Sequence, residues 1–113
     1  MKEIWKDIPG YEGLYQASNT GKIKSLGRTI SEQWYDGTHN RIRILPEKLL
    51  KQKIDTNGYL SVGLHKINGE RKRFRVHRLV AITFLDNPNN FPYINHIDEC
   101  ISNNSVENLE WCT

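Results

Sequence analysis

The 113-residue sequence lacks any long apolar stretch. A membrane-spanning helix needs about 18 or more consecutive apolar residues, and no such run occurs. The first thirteen residues carry acidic side chains and lack the apolar segment of a secretory signal. We therefore expect one compact cytoplasmic domain, or two small modules that share a sheet, without membrane contact.

Cysteine is scarce, with Cys100 and Cys112 as the two examples. The two thiols could pair, but a cytoplasmic protein keeps such thiols reduced. They form no Cys-x-x-Cys pair, so a zinc site that combines them with His96 is not expected. Neither a disulfide nor structural zinc is therefore expected to support the core, which 37% hydrophobic content makes thin.

Basic residues are missing from the last third of the chain. Residues 79–113 carry five acidic side chains and no lysine or arginine, whereas residues 41–78 carry eleven basic and three acidic side chains. A concentrated positive segment is typical of proteins that bind a phosphate backbone, although lysine-rich strand edges also prevent aggregation. We favour binding, because the charges are dense, and predict these DNA contacts: Lys66, Arg71, Lys72, Arg73, Arg75 and Arg78.

The first half of the chain reads as small β modules. Residues 14–17 and 22–26 are strand-like and are joined by Ser-Asn-Thr-Gly, which favours a hairpin. Residues 41–44 alternate between arginine and isoleucine, which predicts a strand with isoleucines inward. Asp36-Gly37 is a turn signal. The neighbouring Trp34, Tyr35 and His39 are interpreted as structural.

The second half predicts three antiparallel strands and a helix. Strands are expected at residues 50–54, 59–65 and 71–76, with turns at 55–58 and at Asn68-Gly69. In the third strand, Phe74 and Val76 should face the core and Arg73 and Arg75 the other side. Residues 77–85 then follow helical periodicity, with an apolar face that Ile82 and Phe84 widen, and Asn87-Pro88 ends the helix. The fold class is therefore α+β.

The stretch from Tyr93 to Thr113 carries the chemistry. A short apolar strand is expected to end in Asn95 and His96. A polar turn follows, and a second short element then runs back beside the first. A histidine on a strand beside an oxygen donor suits a general base next to a hard cation. Asp98 and Glu110 are spare carboxylates; either could assist such a cation, although most surface carboxylates bind no metal. Ser105 is expected to cap the second element, and His77, at the start of an apolar helix, is interpreted as structural.

Three sequence pieces, in order, resemble a known family. Asn95-His96 followed by NN-x-x-ENLEWCT resembles the HNH motif of phage and intron homing endonucleases. The nuclease-associated modular motif (type 4), which often precedes HNH units, is similar to the segment WKDIPGYEGLYQASNTGKIKS. The third piece, VHRLVA, lies between this segment and the HNH-like residues. The resemblance implies a modular β motif with a loop at residues 1–48 and an HNH nuclease domain at residues 49–113. The expected architecture is small antiparallel β-sheet modules followed by a helix and a ββα-metal unit that lacks its last helix.

The resemblance also implies an activity, which is metal-dependent hydrolysis of double-stranded DNA by nicking. His96 would be the base, Asn95 would bind one Mg²⁺ or Mn²⁺ where the family often has Asp, and Asn108 would pin the loop between the strands. The family's final metal ligand would lie beyond Thr113, and Glu99-Cys100 replace an expected Gly-Asn. A monomer without a small-molecule cofactor is expected, in a phage-infected or prophage-bearing bacterial cell. The alternative is a non-catalytic DNA-binding or protein-interacting remnant of such a nuclease.

Overall fold

The computed structural model describes residues 2–33, 40–66 and 69–113, and for residues 28–33 and 40–43 it describes the backbone alone. The predictions for Trp34, Tyr35, the turn at Asp36-Gly37 and His39 lie outside this part, as does Asn68. Within it, one α-helix, α1 (Val76–Phe84), and eleven strands form. The strands are β1 (Trp5–Asp7), β2 (Tyr15–Ser18), β3 (Ile23–Ser25), β4 (Arg28–Gln33), β5 (Asn40–Leu45), β6 (Lys48–Leu49), β7 (Lys53–Ile54), β8 (Leu60–His65), β9 (Arg71–Arg75), β10 (Tyr93–His96) and β11 (Leu109–Cys112).

The N-terminal sheet has the strand order β1-β2-β3-β6. Its central hairpin confirms the prediction for residues 14–26, and the turn between β2 and β3 closes through a hydrogen bond from Gly21 N to Ser18 O at 3.1 Å. The predicted strand at 50–54 is wrong in extent. Leu50 N donates to Ile23 O at 2.9 Å and so continues the first sheet, which leaves only Lys53–Ile54 for the next one.

Strands β4 and β5 form a two-stranded antiparallel sheet of six residue pairs. The predicted strand at residues 41–44 is therefore confirmed. The expectation that its isoleucines face inward is wrong for Ile44, which is 78% exposed. Alternation separates two faces of a strand, but it does not say whether anything covers either face.

The third sheet, ordered β7-β8-β9, is antiparallel, as predicted. Asp55 closes the first turn by accepting the backbone N–H groups of Asn57 and Tyr59 at 2.9 and 3.1 Å. Phe74 lies opposite the buried Val62, whereas Arg73 and Arg75 lie on the other face, as predicted. Val76 is buried, but it belongs to the helix.

Helix α1 begins immediately after β9 and ends at Phe84. The predicted apolar stripe is buried, and Leu79 and Val80 are its most enclosed members. Ile82 does not widen the stripe as expected, since it is 38% exposed. The helix closes with Leu85 N donating to Ala81 O at 2.9 Å, shortly before Asn87-Pro88. No helix in the described part of the chain is long and apolar enough to cross a membrane.

One hydrophobic core joins the N-terminal sheet, the third sheet, α1 and β11. Its buried residues are Ile8, Tyr11, Tyr15, Ala17, Ile23, Val62, Leu64, Val76, Leu79, Val80 and Leu109. Each fully buried Ile, Leu or Val contributes roughly 1.5–3 kcal/mol relative to an exposed position. The small sheets therefore depend on one shared core for most of their stability.

The last two strands, β10 and β11, form an antiparallel hairpin that confirms the predicted returning element. A polar loop and a 3₁₀ turn at Val106–Asn108 connect them. Leu109 is buried in the core, and Trp111 Nε1 donates to Leu85 O at 3.4 Å. The hairpin is thereby fixed to the end of α1, and the architecture is α+β, as expected.

Candidate active site

His96 is the last residue of β10 and points into the protein. Strand alternation exposes Tyr93 and Asn95 and buries His96, of which only 6% is exposed. Its Nε2 lies 2.9 Å from the Oδ1 of Asn104, a side chain that is also buried. The predicted base is therefore held in one orientation by a residue that the sequence did not single out.

Two rings of the preceding elements pack beside His96. The ring centroid of His77, on α1, lies 5.0 Å from that of His96, and the Tyr59 ring lies 5.1 Å from His77 and 6.2 Å from His96. His77 is buried, and its Nδ1 has no hydrogen-bond partner among the described residues. Burial, aided by electrostatic interactions with His96, Arg75 and Arg78, lowers the pKa of His77 to about 4. His77 is thus a neutral ring at pH 7. Its place against His96 depends on a tertiary contact that periodicity does not reveal.

Asn95 lies on the exposed face of β10, directly opposite Glu110 of β11. Its Nδ2 donates to Glu110 Oε1 at 2.9 Å. With the amide nitrogen so engaged, its oxygen is the atom that could bind a cation. Of the two spare carboxylates, Glu110 is therefore the one beside the predicted ligand.

Asp98 has a different position, inside the loop between β10 and β11. Asn108 Nδ2 donates to Asp98 Oδ1 at 2.8 Å and to Asn103 O at 2.9 Å, while Asn108 Oδ1 accepts Asp98 N at 2.9 Å. Hydrogen bonds from Asn103, from the Cys100 backbone and from Asn108 lower the pKa of Asp98, so it is an anion at neutral pH. Asn108 therefore connects the two ends of this loop.

The departure from the family pattern at Glu99 has a conformational consequence. Glu99 has φ of +63°, in the left-handed region that glycine adopts without steric cost. Its N–H donates to His96 O at 2.9 Å, so the strained residue closes the turn directly after the candidate base. The expected glycine would fit this backbone without that strain.

The six predicted DNA-binding residues lie in three places. Arg71, Arg73 and Arg75 share one face of β9, opposite His65, Gly63 and Ser61. Lys66 and Lys72 lie near aromatic rings that belong to the core, with their Nζ atoms 5.9 Å from the Tyr11 centroid and 5.4 Å from the Phe74 centroid. Arg78 is on α1, with its guanidinium 5.8 Å from the Trp111 ring centroid.

The three arginines of β9 differ in their partners. Arg75 Nε donates to Asp55 Oδ2 at 2.8 Å, and its guanidinium lies 4.3 Å from the Tyr59 ring centroid. Arg73 Nη2 donates to Ser61 Oγ at 2.9 Å, a neutral partner. Arg71 is exposed at the sheet end. Arg71 and Arg73 are therefore better placed than Arg75 to meet a phosphate.

The donor chemistry of the hairpin fits a hard cation in part. Among the described residues, no group of three or more His, Cys, Asp and Glu side chains is close enough to hold a metal. Asn95 and Glu110 together offer amide and carboxylate oxygens on an exposed surface. Mg²⁺ prefers oxygen ligands, keeps several waters and often takes only one or two protein ligands.

Comparison with known proteins places this geometry in a family. The NUMOD4 motif matches residues 3–65. The chain is 40% identical over 109 residues to DNA endonuclease I-HmuI of Bacillus phage SP01, covering 96% of this chain and 52% of that protein. It is 54% identical over 66 residues to an uncharacterised HNH endonuclease of Acanthamoeba polyphaga mimivirus, covering 58% of this chain and 20% of the relative.

A solved structure agrees with these sequence matches. The structure described as DNA binding and cleavage by the HNH homing endonuclease I-HmuI aligns with a TM-score of 0.72 and 40% identity, covering 97% of this chain and 52% of that one. The chain thus spans about half the length of I-HmuI and less of the viral relative. The predicted resemblance to HNH homing endonucleases with a type 4 modular motif is confirmed. Because the motif match covers more than half of its residues, the chain belongs to the NUMOD4 motif family, and its relatives are HNH endonucleases.

Proposed function

We propose that this chain acts as a metal-dependent HNH endonuclease that nicks double-stranded DNA. One observation carries the proposal: the β10–β11 hairpin fixes the imidazole of His96 and, on the neighbouring position, exposes the oxygen donors of Asn95 and Glu110. The relatives named above, among them a homing endonuclease described as binding and cleaving DNA, support the same reading.

His96 acts as the general base in this proposal. Its Nε2–H donates to Asn104 Oδ1, so Nδ1 keeps the lone pair that accepts a proton from the attacking water. The fixed hydrogen bond selects the tautomer and limits ring rotation, and both effects keep the acceptor atom aimed at one place. His77 and Tyr59 exclude water from the inner side of the ring.

Asn95 Oδ1 and the carboxylate of Glu110 would hold one Mg²⁺ or Mn²⁺. When bound, such an ion supplies Lewis-acid stabilisation of the charge on the phosphate and on the leaving oxygen. Asn108 and Asp98 keep the loop closed, so that the two strands hold their residues in register. Arg71 and Arg73 contact the DNA backbone from the third sheet.

The proposal is tested by nicking of supercoiled plasmid with Mg²⁺ or Mn²⁺, comparing the chain with His96→Ala. We expect nicking by the chain and a loss of at least 100-fold in the variant, because general-base catalysis contributes about 10²–10⁴-fold. The variant should still bind DNA with unchanged salt dependence. Nicking at an equal rate in both proteins would refute the role of His96.

A non-catalytic DNA-binding protein is the second candidate, and the arginine face of β9 favours it. The same plasmid experiment separates the two functions. Salt-sensitive DNA binding without nicking, at any concentration of either metal, would remove the nuclease proposal for this chain and leave the binding function.

A further inference from the structure

The N-terminal hairpin contacts the loop that carries Asn104. Val106 N donates to Asn19 O at 2.8 Å, and Ser105 Oγ donates to the same oxygen at 3.3 Å. Ser105 is the N-cap residue of the 3₁₀ turn, as predicted, but its side chain makes no capping hydrogen bond and instead reaches across to the hairpin. Two segments that are 86 residues apart in sequence share this contact.

Gly21, in the same hairpin turn, packs against the backbone of Asn104. A Cβ at this position would lie 3.0 Å from the Asn104 carbonyl carbon and oxygen and 3.1 Å from its Cβ. Real Cβ atoms essentially never approach closer than about 3.0 Å, so there is no free space between the two backbones. Glycine is thus the residue that allows this contact.

The hairpin turn is itself held rigidly. Asn19 connects it to the N-terminus, since its Oδ1 accepts Ile4 N at 2.9 Å and its backbone N–H donates to Ile4 O at 3.0 Å. Gln52 Nε2 donates to Gly21 O at 2.9 Å from the other side. The turn therefore presents a fixed surface to the loop.

Asn104 lies against that surface. Its Oδ1 meets His96 Nε2, but its Nδ2 is buried and has no hydrogen-bond partner among the described residues. The amide is therefore not fixed from both ends by hydrogen bonds. The close packing of Gly21 on its backbone and Cβ restricts it instead.

We propose that the turn at Asn19–Gly21 is a positioning element for His96, which it orients through Asn104. The inference rests on the proposed function of His96 and adds a role for the modular motif, which then completes the scaffold of the catalytic site. Asn104 and Gly21 are positioning residues, since the geometry assigns them no contact with reacting atoms.

A pair of glycine substitutions tests the proposal. Gly21→Ala and Gly13→Ala both place a side chain at positive φ (+95° and +77°), but a Cβ at Gly13 meets nothing within 4 Å. Both variants therefore carry the same kind of backbone strain, and only Gly21→Ala displaces Asn104. The measurements are the imidazole nitrogen and carbon NMR signals of His96 in the full chain, and the kcat for nicking beside the Kd for plasmid DNA.

We expect Gly21→Ala to change the tautomer ratio of His96 and to lower kcat at least tenfold, with Kd changed less than twofold. Gly13→Ala should leave the His96 signals and kcat as in the unmodified chain. Asn104→Ala should reproduce the spectrum of Gly21→Ala, and Asn104→Asp, which keeps an oxygen acceptor, should restore the original tautomer.

The spectrum and the activity report different failures. Unchanged His96 signals in Gly21→Ala would overturn the positioning role, whatever the activity. Altered signals in a chain that never nicks would uphold it and remove the proposed function instead. If Gly21→Ala does not fold, Gln52→Ala decides, because it removes the side chain that holds Gly21 O at 2.9 Å and so loosens the turn that packs on Asn104. An unchanged His96 spectrum there would overturn the proposal.

Discussion

His77 shows how burial makes a titratable side chain behave as an aromatic one. Its pKa is lowered to about 4, mainly by burial, whereas an unfolded chain holds histidine at about 6.5. Between these values the unfolded state binds more protons than the folded state. The stabilising contribution is therefore complete above about pH 6.5 and is lost as the pH falls towards 4.

This linkage predicts the effect of acid on stability. From pH 7 to pH 5, His77 should remove about 2 kcal/mol from the free energy of unfolding, measured by urea denaturation. His77→Phe keeps a ring in the same space but cannot take up a proton. Its free energy of unfolding should therefore fall by about 2 kcal/mol less than that of the unmodified chain over this pH range. His65→Phe, at an exposed position, controls for the loss of a histidine. The same pH dependence in His77→Phe and in the unmodified chain would contradict the assignment.

The backbone at Glu99 gives a second prediction for a single residue. Glu99→Gly should raise the free energy of unfolding by about 0.5–1 kcal/mol, because glycine adopts positive φ without steric cost. Glu107→Gly is the matched control and should destabilise the protein, since Glu107 lies in the 3₁₀ turn at Val106–Asn108. Thermal unfolding of both variants checks the difference in sign. Destabilisation by both would show that the turn tolerates glutamate without strain.

The hydrogen bond between Asn95 and Glu110 gives a third prediction at the residue scale. Asn95→Asp replaces a hydrogen bond by two carboxylates on opposite strand positions, so the metal-free variant should unfold at a lower temperature. A divalent cation would bridge the pair. Millimolar Mg²⁺ should therefore raise the Tm of Asn95→Asp more than that of the unmodified chain. Equal shifts would argue against a metal at this position, and Glu107→Gln in the same titration controls for general charge effects.

At the level of elements, β9 separates its cations by strand alternation. Arg71 and Arg73 lie on one face, and Lys72 lies with Phe74 on the other. Arg71→Gln should lower the slope of log K against log salt by about 0.9, the value for one phosphate contact on duplex DNA. Lys48→Gln, on exposed β6, removes the same charge elsewhere and should change the slope much less. Equal changes would mean that only net charge matters.

Sequence patterns predicted the elements well, because periodicity and turn chemistry are local. The β2–β3 hairpin, the three-stranded sheet, α1 and the last hairpin all follow from them. Whether another element covers one face of a strand or helix is a tertiary property, which local periodicity does not contain. For this reason the predictions that Ile44 faces inward and that Ile82 widens the buried stripe of α1 are wrong.

In the candidate site, too, some features can be predicted from the sequence and others depend on tertiary contacts. The assignment of Asn95, His96 and Asn108 to the site rests on the resemblance of residues 93–113 to a family motif, and it stays a prediction. The contacts of His96 with Asn104 and His77, and the contact of Ser105 with Asn19, join residues that only the folded chain brings together. The VHRLVA piece contains His77, but its apolar periodicity favoured a structural interpretation.

At the scale of the whole molecule, one core spans both predicted modules. Ile8 and Ile23 pack in the same cluster as Leu64 and Leu79, on either side of the predicted boundary after residue 48, which stays a prediction about sequence modules. The NUMOD4 match, at residues 3–65, also extends across this position. The molecule should therefore unfold in a single transition.

Substitution in the core tests this cooperativity. Leu64→Ala should cost about 2–5 kcal/mol, because Leu64 is fully buried, and should lower the unfolding midpoint equally for NMR signals of Ile23 and of Leu109. Leu49→Ala, at a position that is 57% exposed, should have a small effect. Separate midpoints for the two signals would show that the modules unfold independently.

The contact between Asn19 and Ser105 also orders events during synthesis. Because 86 residues separate its two sides, the ribosome must release nearly all of this chain before the hairpin turn can meet the loop. Until the loop has emerged, His96 lacks its Asn104 partner and Leu109 is missing from the shared core, so neither the candidate site nor the complete core can form.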